Sequence, residues 1–437
     1  MLTAMDKSVE NIDISAGTVE LLTHLREHGP MTRSEIGTAT GWARPTVNKR
    51  IDELTAIGIA QPLTMPSPTG GRPAQGFAFS PSCAHILAID IATTATTIAL
   101  CDLAGRPVLV RTVSAGAENE PDETLDMICG AADAMLTGKL ASRTDTGAVI
   151  GNDEVPVTVN DPATTDEGIT ATATPRLFAV SVAVTTRVET VTGNIIQAPV
   201  MQHWENHHLR EFFADRYHIP AFIENDANAR ALCKAYQLAA DGEHIVPHLL
   251  YVHAGMGLGA GIISSGSIMH GAFGAAGDIG HIHVFGSIGE HSLCRCGNTG
   301  CVEATAGGWA ILSALQAQGK PVHTLDEVVE LATHGDIETV QLIRQAGRLI
   351  GDVISACVNM LNPSCIVVGG ELSHCGELLL NGIRERVWAR VQPLATKSLR
   401  IESCNDEAQT GIIGLAYAAI DQGLTSLEML QDFARQQ

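Results

Sequence analysis

GAFGAAGDIGHIHVFGSIGEHSLCRCGNTGCVEA, residues 271–304, is the stretch that decides how this chain is read. Cys294, Cys296 and Cys301 fall within eight residues on a glycine-bearing loop, and His281, His283 and His291 stand nearby. Three thiolates at this spacing can face one point. A structural zinc takes four nitrogen or sulfur ligands, so one of the histidines is expected to complete the set. Nothing in the spacing provides an open position for a catalytic water, and the zinc is read as structural. The remaining cysteines (Cys83, Cys101, Cys129, Cys233, Cys357, Cys365, Cys375 and Cys404) stand singly, the pattern of reduced core thiols.

Working outward, 437 residues exceed what one compact core organises, so two or three domains are expected. A net charge of −21 argues against nonspecific coating of nucleic acid, yet allows a small DNA-binding head on an acidic body. No apolar run reaches membrane-spanning length, and MLTAMDKSVENID at the start is not a signal peptide. A cytoplasmic protein without membrane contact is expected.

Residues 1–82 read as three helices and a ribbon. TVELLTHLREHG (18–29) has apolar residues at helical spacing and stops at Gly29-Pro30. Thr32 and Glu35 form a capping box that opens a second helix, which ends near Gly41. RPTVNKRIDELTAIG (44–58) is the third, with Pro45 in its first turn. Ala43 stands where an N-cap belongs; Ser, Thr or Asp there would add about 1 kcal/mol. Two β-like ends around a Pro/Gly-rich tip follow (59–80). This is the pattern of a winged helix-turn-helix. Its third helix offers Arg44, Thr46, Asn48, Lys49 and Arg50 to a major groove of double-stranded DNA, and Arg72 on the ribbon suits a minor groove. A helical module that docks on protein is the alternative.

Residues 83–437 alternate strand-like and helical segments, among them AHILAIDI, TTIALCDL, LFAVSVAV, LLYVHAG and CIVVGGEL, with long helices between about 304 and 360. The expected architecture is α/β with two lobes and a cleft. Residues 138–176 are rich in Thr, Asp and Gly, lack aromatics, and are read as a mobile surface insertion. FIENDANARAL (222–232) places Asn225 and Asp226 between a strand and a helix start. There Asp226 can cap the helix, bind a sugar hydroxyl, or act as a general base. HAGMGLGAGI (253–262) and VVGGELS (367–373) are glycine-rich strand ends that could present amides to phosphate.

Taken in order, these pieces resemble the ROK family of sugar kinases and sugar-responsive repressors, over essentially the whole chain. The winged head with TGGRPA before the first strand is similar to the repressor branch. GAFGAAGDIGH followed by CRCGNTGCVEA carries the most specific match, and ENDANA adds to it. The resemblance implies a winged helix-turn-helix followed by a two-lobed actin-like ATPase fold. It implies His281 as fourth zinc ligand beside Cys294, Cys296 and Cys301, with His283 and His291 as substitutes because the loop is longer than usual. It further implies a sugar grip by Asn225, Asp226, Asp278, His281 and Glu303. Asp278 replaces the family's usual Glu, so this shorter carboxylate must pull the loop inward or bind through water.

The phosphate loops depart from the family. Asp-x-Gly-Gly-Thr-Lys becomes IDIATTATT (89–97), Gly-Thr-Gly becomes Gly255-Met256-Gly257, and a Pro-Gly loop becomes VAVTTRVE (182–189). Each change weakens a nucleotide grip. The expected protein is therefore a sugar-responsive, DNA-binding repressor of carbohydrate-metabolism genes, not an enzyme. Its effector would be a sugar or sugar phosphate, and it would act as a homodimer or homotetramer. An ATP-dependent sugar kinase with Asp226 as base is the second reading, and a scaffold for a protein partner the third.

Overall fold

The computed structural model describes residues 14–65, 74–137, 175–189, 192–196, 201–205, 207–239, 245–286, 289–404 and 407–436. Arg72 and residues 138–174 of the expected insertion lie outside them.

The chain opens with α1 (Ala16–His28), β1 (Met31–Thr32), α2 (Arg33–Thr40), α3 (Arg44–Ala56), β2 (Ala60–Met65) and β3 (Ala74–Phe79). Thr32 and Glu35 make the expected capping box on α2, Gly41 ends it in a left-handed turn, and Pro45 lies in the first turn of α3. Ala43 caps α3 without a side-chain hydrogen bond. The ribbon gains a third strand that the sequence did not announce: β1 and β2 flank β3, both antiparallel to it.

A first five-stranded sheet follows, built from β4 (His85–Ile91), β5 (Thr96–Asp102), β6 (Pro107–Val113), β7 (Leu177–Val184) and β8 (Ala221–Asn225). Helices α4 (Pro121–Leu136) and α5 (Leu209–Tyr217) cover one face. After α6 (Asp226–Gln237) comes a second sheet of β9 (His248–Ala254), β10 (Leu258–Ser264), β11 (Ser267–Ile268), β12 (Cys365–Gly369) and β13 (Arg400–Ser403). Between β11 and β12 lie α7 (Glu303–Ala306), α8 (Gly308–Ala317), α9 (Leu325–Thr333) and α10 (Ile337–Leu361). Then come α11 (Glu377–Arg390) and α12 (Pro393–Thr396) before β13, and α13 (Glu407–Gly423) and α14 (Leu427–Arg435) at the end.

The two sheets have one topology. Their orders are β6-β5-β4-β7-β8 and β11-β10-β9-β12-β13, in each case an antiparallel meander extended by two parallel strands. The inner strands β4, β7, β9 and β12 are buried on two faces and read as apolar runs such as HILAIDI and LLYVHA, while the edge strands β6, β11 and β13 are partly exposed. Helices α6 and α13 pack against each other between the sheets, α13 on β4 and β7, α6 on β9 and β10. The strand order reverses beside this pair in each sheet, and that switch point is where open α/β sheets place a ligand cleft.

The head shares a buried cluster with the body: Leu21, Leu22 and Leu25 of α1 join Ile412, Ile420 and Leu430. Arg176, the last residue of the expected insertion, is fixed here: its guanidinium donates to Ile57 O and Phe433 O and lies 3.5 Å from the Phe433 ring centroid. Among the described residues no helix is long and apolar enough to cross a membrane.

Candidate functional site

The ligand atoms of His281, Cys294, Cys296 and Cys301 all lie within 4.8 Å of one another. His281 Nδ1 is 3.5 Å from Cys294 Sγ, and the Cys296 and Cys301 sulfurs are 3.8 Å apart. His281 is thus the histidine brought to the thiols. His283 stacks on Phe285 with centroids 4.2 Å apart, and His291 is exposed. Burial, reinforced by a hydrogen bond with Cys296, pushes the Cys301 thiol up to about 12, so a cation arriving here displaces protons. One imidazole and three thiols, two of them buried, suit zinc and leave no open position.

The loop that supplies His281 also supplies Asp278. The Asp278 carboxylate pairs with Arg187 Nη2 at 2.7 Å and lies 3.7 Å from His281 Nε2. Arg187 belongs to the loop after β7 and Asp278 to the one after β11, so the pair crosses the cleft. Glu303, which opens α7 two residues after Cys301, accepts from the Leu258 amide at 3.0 Å and from Trp309 Nε1 at 3.3 Å.

Across the cleft, Asn225 caps α6. Its Oδ1 accepts from the amides of Ala227 (3.0 Å) and Asn228 (3.3 Å), while its Nδ2 donates to Thr186 O at 3.1 Å. Asp226 occupies the first helical position, its Oδ1 2.8 Å from its neighbour's amide. Its other oxygen stands 3.7 Å from Arg230 Nη1. Arg230, side chain 7% exposed, reaches on to Asp90 Oδ2 at 2.9 Å, joining the second lobe to the end of β4. A third pair crosses nearby: His270 Nε2 lies 2.7 Å from Glu224 Oε2. This hydrogen bond, against the opposing effect of burial, raises the imidazole's proton affinity. Sequence reasoning passed over Arg187, Arg230, His270 and Glu224. None sits in a spacing pattern; each gains its meaning from a partner 46 to 140 residues away or on the facing lobe.

On the nucleotide side the loop after β4 is closed on itself. The Ala92 amide donates to Ala95 O at 3.1 Å, while Ala92 O and Thr93 O accept from Ala117 and Glu118. In the Gly255-Met256-Gly257 turn the Gly255 amide donates to Gly257 O at 3.1 Å, while Gly255 O and Met256 O accept from the Gly308 and Trp309 amides. A Cβ on Gly255 would fall 2.4 Å from Glu371 Oε2, so a buried carboxylate oxygen stands behind this turn. The VVGGELS glycines drew the eye in sequence; Glu371 beside them was missed.

In the head, the side chains expected on α3 part company. Arg44 and Lys49 are exposed, and Thr46 and Asn48 are half-exposed. Arg50 turns inward: its side chain is 17% exposed against 64% for Lys49, and Nη1 lies 3.0 Å from both Glu53 oxygens. Glu53 also accepts from Thr18 of α1. Asn48 accepts from Arg33 Nε at 2.9 Å, and Arg33 also donates to Gln75 and covers the Phe77 ring, a cation at the helix–ribbon junction that sequence reasoning missed.

Comparison with known proteins agrees with both parts of this description. A winged helix-turn-helix DNA-binding profile matches residues 10–61. The chain is 23% identical over 410 residues to the xylose repressor of Bacillus spizizenii, covering 94% of this chain and 96% of that protein. It is 31% identical over 243 residues to the glucokinase of Halalkalibacterium halodurans, covering 52% of this chain and 71% of that one. A solved ROK family transcriptional regulator, a homologue of the Escherichia coli Mlc protein, superposes with a TM-score of 0.73 at 21% identity, covering 96% and 99% of the two chains. The ROK family profile itself matches residues 168–422, more than half of the sequence, and the chain belongs to the ROK family.

Proposed function

We propose that this protein is a DNA-binding transcriptional repressor of carbohydrate-metabolism genes, acting in the cytoplasm, whose operator affinity is set by a sugar or sugar phosphate in the cleft. The observation that carries this reading is an asymmetry within the cleft. Hydroxyl-binding groups, Asn225, Asp226, Asp278, His281 and Glu303, line one part of it. In the turn after β4 the Ala92 amide donates to Ala95 O; in the Gly255–Gly257 turn the Gly255 amide donates to Gly257 O, and Glu371 stands behind this second turn. These features support a reading in which kinase activity is lost while ligand sensing is kept. The full-length likeness to a xylose repressor supports the same reading.

In this reading residues 1–82 form the DNA-binding domain and 83–437 the sugar-binding domain. Arg44, Lys49, Thr46 and Asn48 face the major groove; Arg50 acts by holding Glu53 and the helix that carries them. Two heads of a homodimer or homotetramer would meet the half-sites of a palindromic operator. His281, Cys294, Cys296 and Cys301 would hold a structural zinc. When bound, the metal fixes the loop carrying Asp278 and the start of α7, and so places His281 and Glu303 for sugar hydroxyls.

The test is fluorescence anisotropy on DNA from the gene's own upstream region, at fixed salt, with hexoses, amino sugars, pentoses and their phosphates and no ATP. Specific binding released or strengthened by one compound is expected. Binding that ignores every compound would remove the sugar from the proposal. A kinase reading retains one favourable observation, a carboxylate, Asp226, at the first position of α6. ATP-dependent hexose phosphorylation that disappears in Asp226→Asn would replace the repressor reading with it.

A further inference from the structure

Helix α6 begins at the proposed sugar site and ends beside α13, the helix whose Asp421 reaches the DNA-binding head. At its first position stands Asp226, and one turn on Arg230 is clamped to Asp90 of the first lobe. At its last turn, about 15 Å along the axis for ten residues, Tyr236 donates to both oxygens of Asp421 at 2.7 and 2.8 Å. Asp421 belongs to α13, and its Oδ1 lies 3.8 Å from Arg26 Nη2 in the last turn of α1, the first helix of the head. Tyr236 stacks on Tyr417 of α13 with centroids 4.0 Å apart and planes 18° from parallel.

Between these two ends the helix has no room to absorb a displacement. A Cβ on Gly414 of α13 would fall 1.7 Å from Ala229 O, and one on Gly261 of β10 would fall 2.3 Å from Ala227 O. Backbone therefore touches α6 on two sides, and a shift at Asp226 must move α6 as a body against α13. Close-packed interiors pass such shifts on because they have few voids to take them up. Gly411 puts α13 at the near end as well: a Cβ there would meet Asp90 Oδ2 at 2.2 Å. The far end is polar and directional. Burial keeps the Tyr236 phenol protonated, so it remains a donor to Asp421.

We infer that α6 is the element by which effector binding is transmitted to the DNA-binding head, with Tyr236 and Asp421 as the positioning residues that hand its displacement to Arg26. This rests on the sugar-responsive reading above, which supplies the effector, but the relay is a property of the chain and is tested without one. A coupling free energy of 1–3 kcal/mol between two sites corresponds to a 5- to 150-fold effect, which amide exchange can resolve.

The experiment is hydrogen–deuterium exchange by mass spectrometry on the full chain, free of sugar and DNA. Four proteins are compared: wild type, Asp226→Asn, Tyr236→Phe and the double variant. Asp226→Asn disturbs the near end, and exchange in the segment 18–28 of α1 is expected to change by about 5-fold or more. Tyr236→Phe keeps the ring and its stack but removes the donor; in the double variant the effect of Asp226→Asn on α1 is expected to fall below about 2-fold. Arg230→Lys as the near-end change and Asp421→Asn as the far-end change repeat the cycle where a first variant fails to fold. An undiminished effect on α1 in the double variant overturns the relay. So does an Asp226→Asn effect confined to α6 itself. Failure of the sugar panel would strike the effector reading and leave this cycle unchanged, so the two failures are told apart.

Discussion

The two five-stranded sheets share one strand order, yet they present different chemistry at the same point in it. The turn between the first two strands of the first sheet, Ala92–Ala95, has no glycine and closes through its own backbone. The matching turn of the second sheet, Gly255–Gly257, has two glycines, and the carboxylates of Glu371 and Glu303 fill the space their side chains would take. The strand order is set by burying apolar runs on both faces. What a turn can bind is set by side chains that the strand order brings in from elsewhere. Glu303 follows the cysteine-rich loop and Glu371 follows β12, and neither is near the turn in sequence. One strand order thus yields one turn closed through its own backbone and one turn lined by carboxylates.

The largest effect should come from breaking the proposed sugar site at its candidate metal centre. Cys301→Ser, or extraction with a strong chelator, removes the group proposed to hold Glu303 and His281 in place. Structural zinc contributes about 10–16 kcal/mol of apparent binding energy in small peptides, so loss of this anchor should weaken sugar binding more than about 100-fold. DNA affinity should stay within about threefold, since the head lies outside the metal loop. Titration calorimetry with the effector found in the panel, together with metal content by mass spectrometry, measures both. Unchanged sugar affinity in a metal-free protein would detach the metal from the site.

The nucleotide side offers the converse change. Ala92→Gly, Thr93→Gly, Met256→Thr and Glu371→Gly together remove the crowding methyls, restore a hydroxyl and take away the carboxylate. ATP affinity should rise by about tenfold or more, equivalent to about 1.4 kcal/mol, as read by equilibrium dialysis. The sugar side should be unaffected. If the wild type already binds ATP as tightly as the variant, the two sides do not differ as described.

How much of this was legible in the sequence follows from the range of each signal. The capping box of Thr32 and Glu35, the Pro45 helix start and the Cys-x-Cys-x4-Cys loop act within a few residues, and the structure has each where the sequence placed it. The choice of His281 over His283 and His291 was open to residue-level reasoning; only the chain path brings it to the sulfurs. The repeated strand order was not legible, because pairings such as Cys365 with Leu249 leave no local trace. Arg230 reads in sequence as an ordinary helix residue. Its role depends on Asp90, 140 residues earlier, meeting it between the lobes. Arg50 shows the opposite failure: it fits the exposed face of α3 by spacing, but Glu53 one turn on draws it inward.

That last contrast predicts a smaller pair of effects within the head. Lys49→Ala should weaken DNA binding about equally for all sequences and reduce the salt slope by about 1, with thermal stability unchanged. Arg50→Ala should instead lower the stability of the head, by about 1–3 kcal/mol, because it leaves Glu53 with fewer partners for a buried carboxylate. Salt-dependent anisotropy and thermal unfolding separate the two. A stability loss for Lys49→Ala with none for Arg50→Ala would reverse the assignment.

The smallest effect expected is a pH dependence from the cross-cleft pair of His270 and Glu224. The hydrogen bond that His270 donates to Glu224 raises the imidazole above its ordinary value of 6.5. The folded state therefore binds the proton more tightly than the unfolded chain. The contribution is complete below about 6.5 and is lost as pH rises through the raised value. The pair is partly exposed, so its worth is held to less than about 1 kcal/mol. Glu224 also accepts from the Asn225 amide and from Asn228 Nδ2, which limits the loss further. Denaturant unfolding of wild type and His270→Gln between pH 5.5 and 8.5 should show a gap that is widest at the acid end and closes toward the basic end. A gap that widens with pH would mean that the neutral imidazole is the form the cleft holds, and that His270 belongs with the uncharged groups of the sugar side.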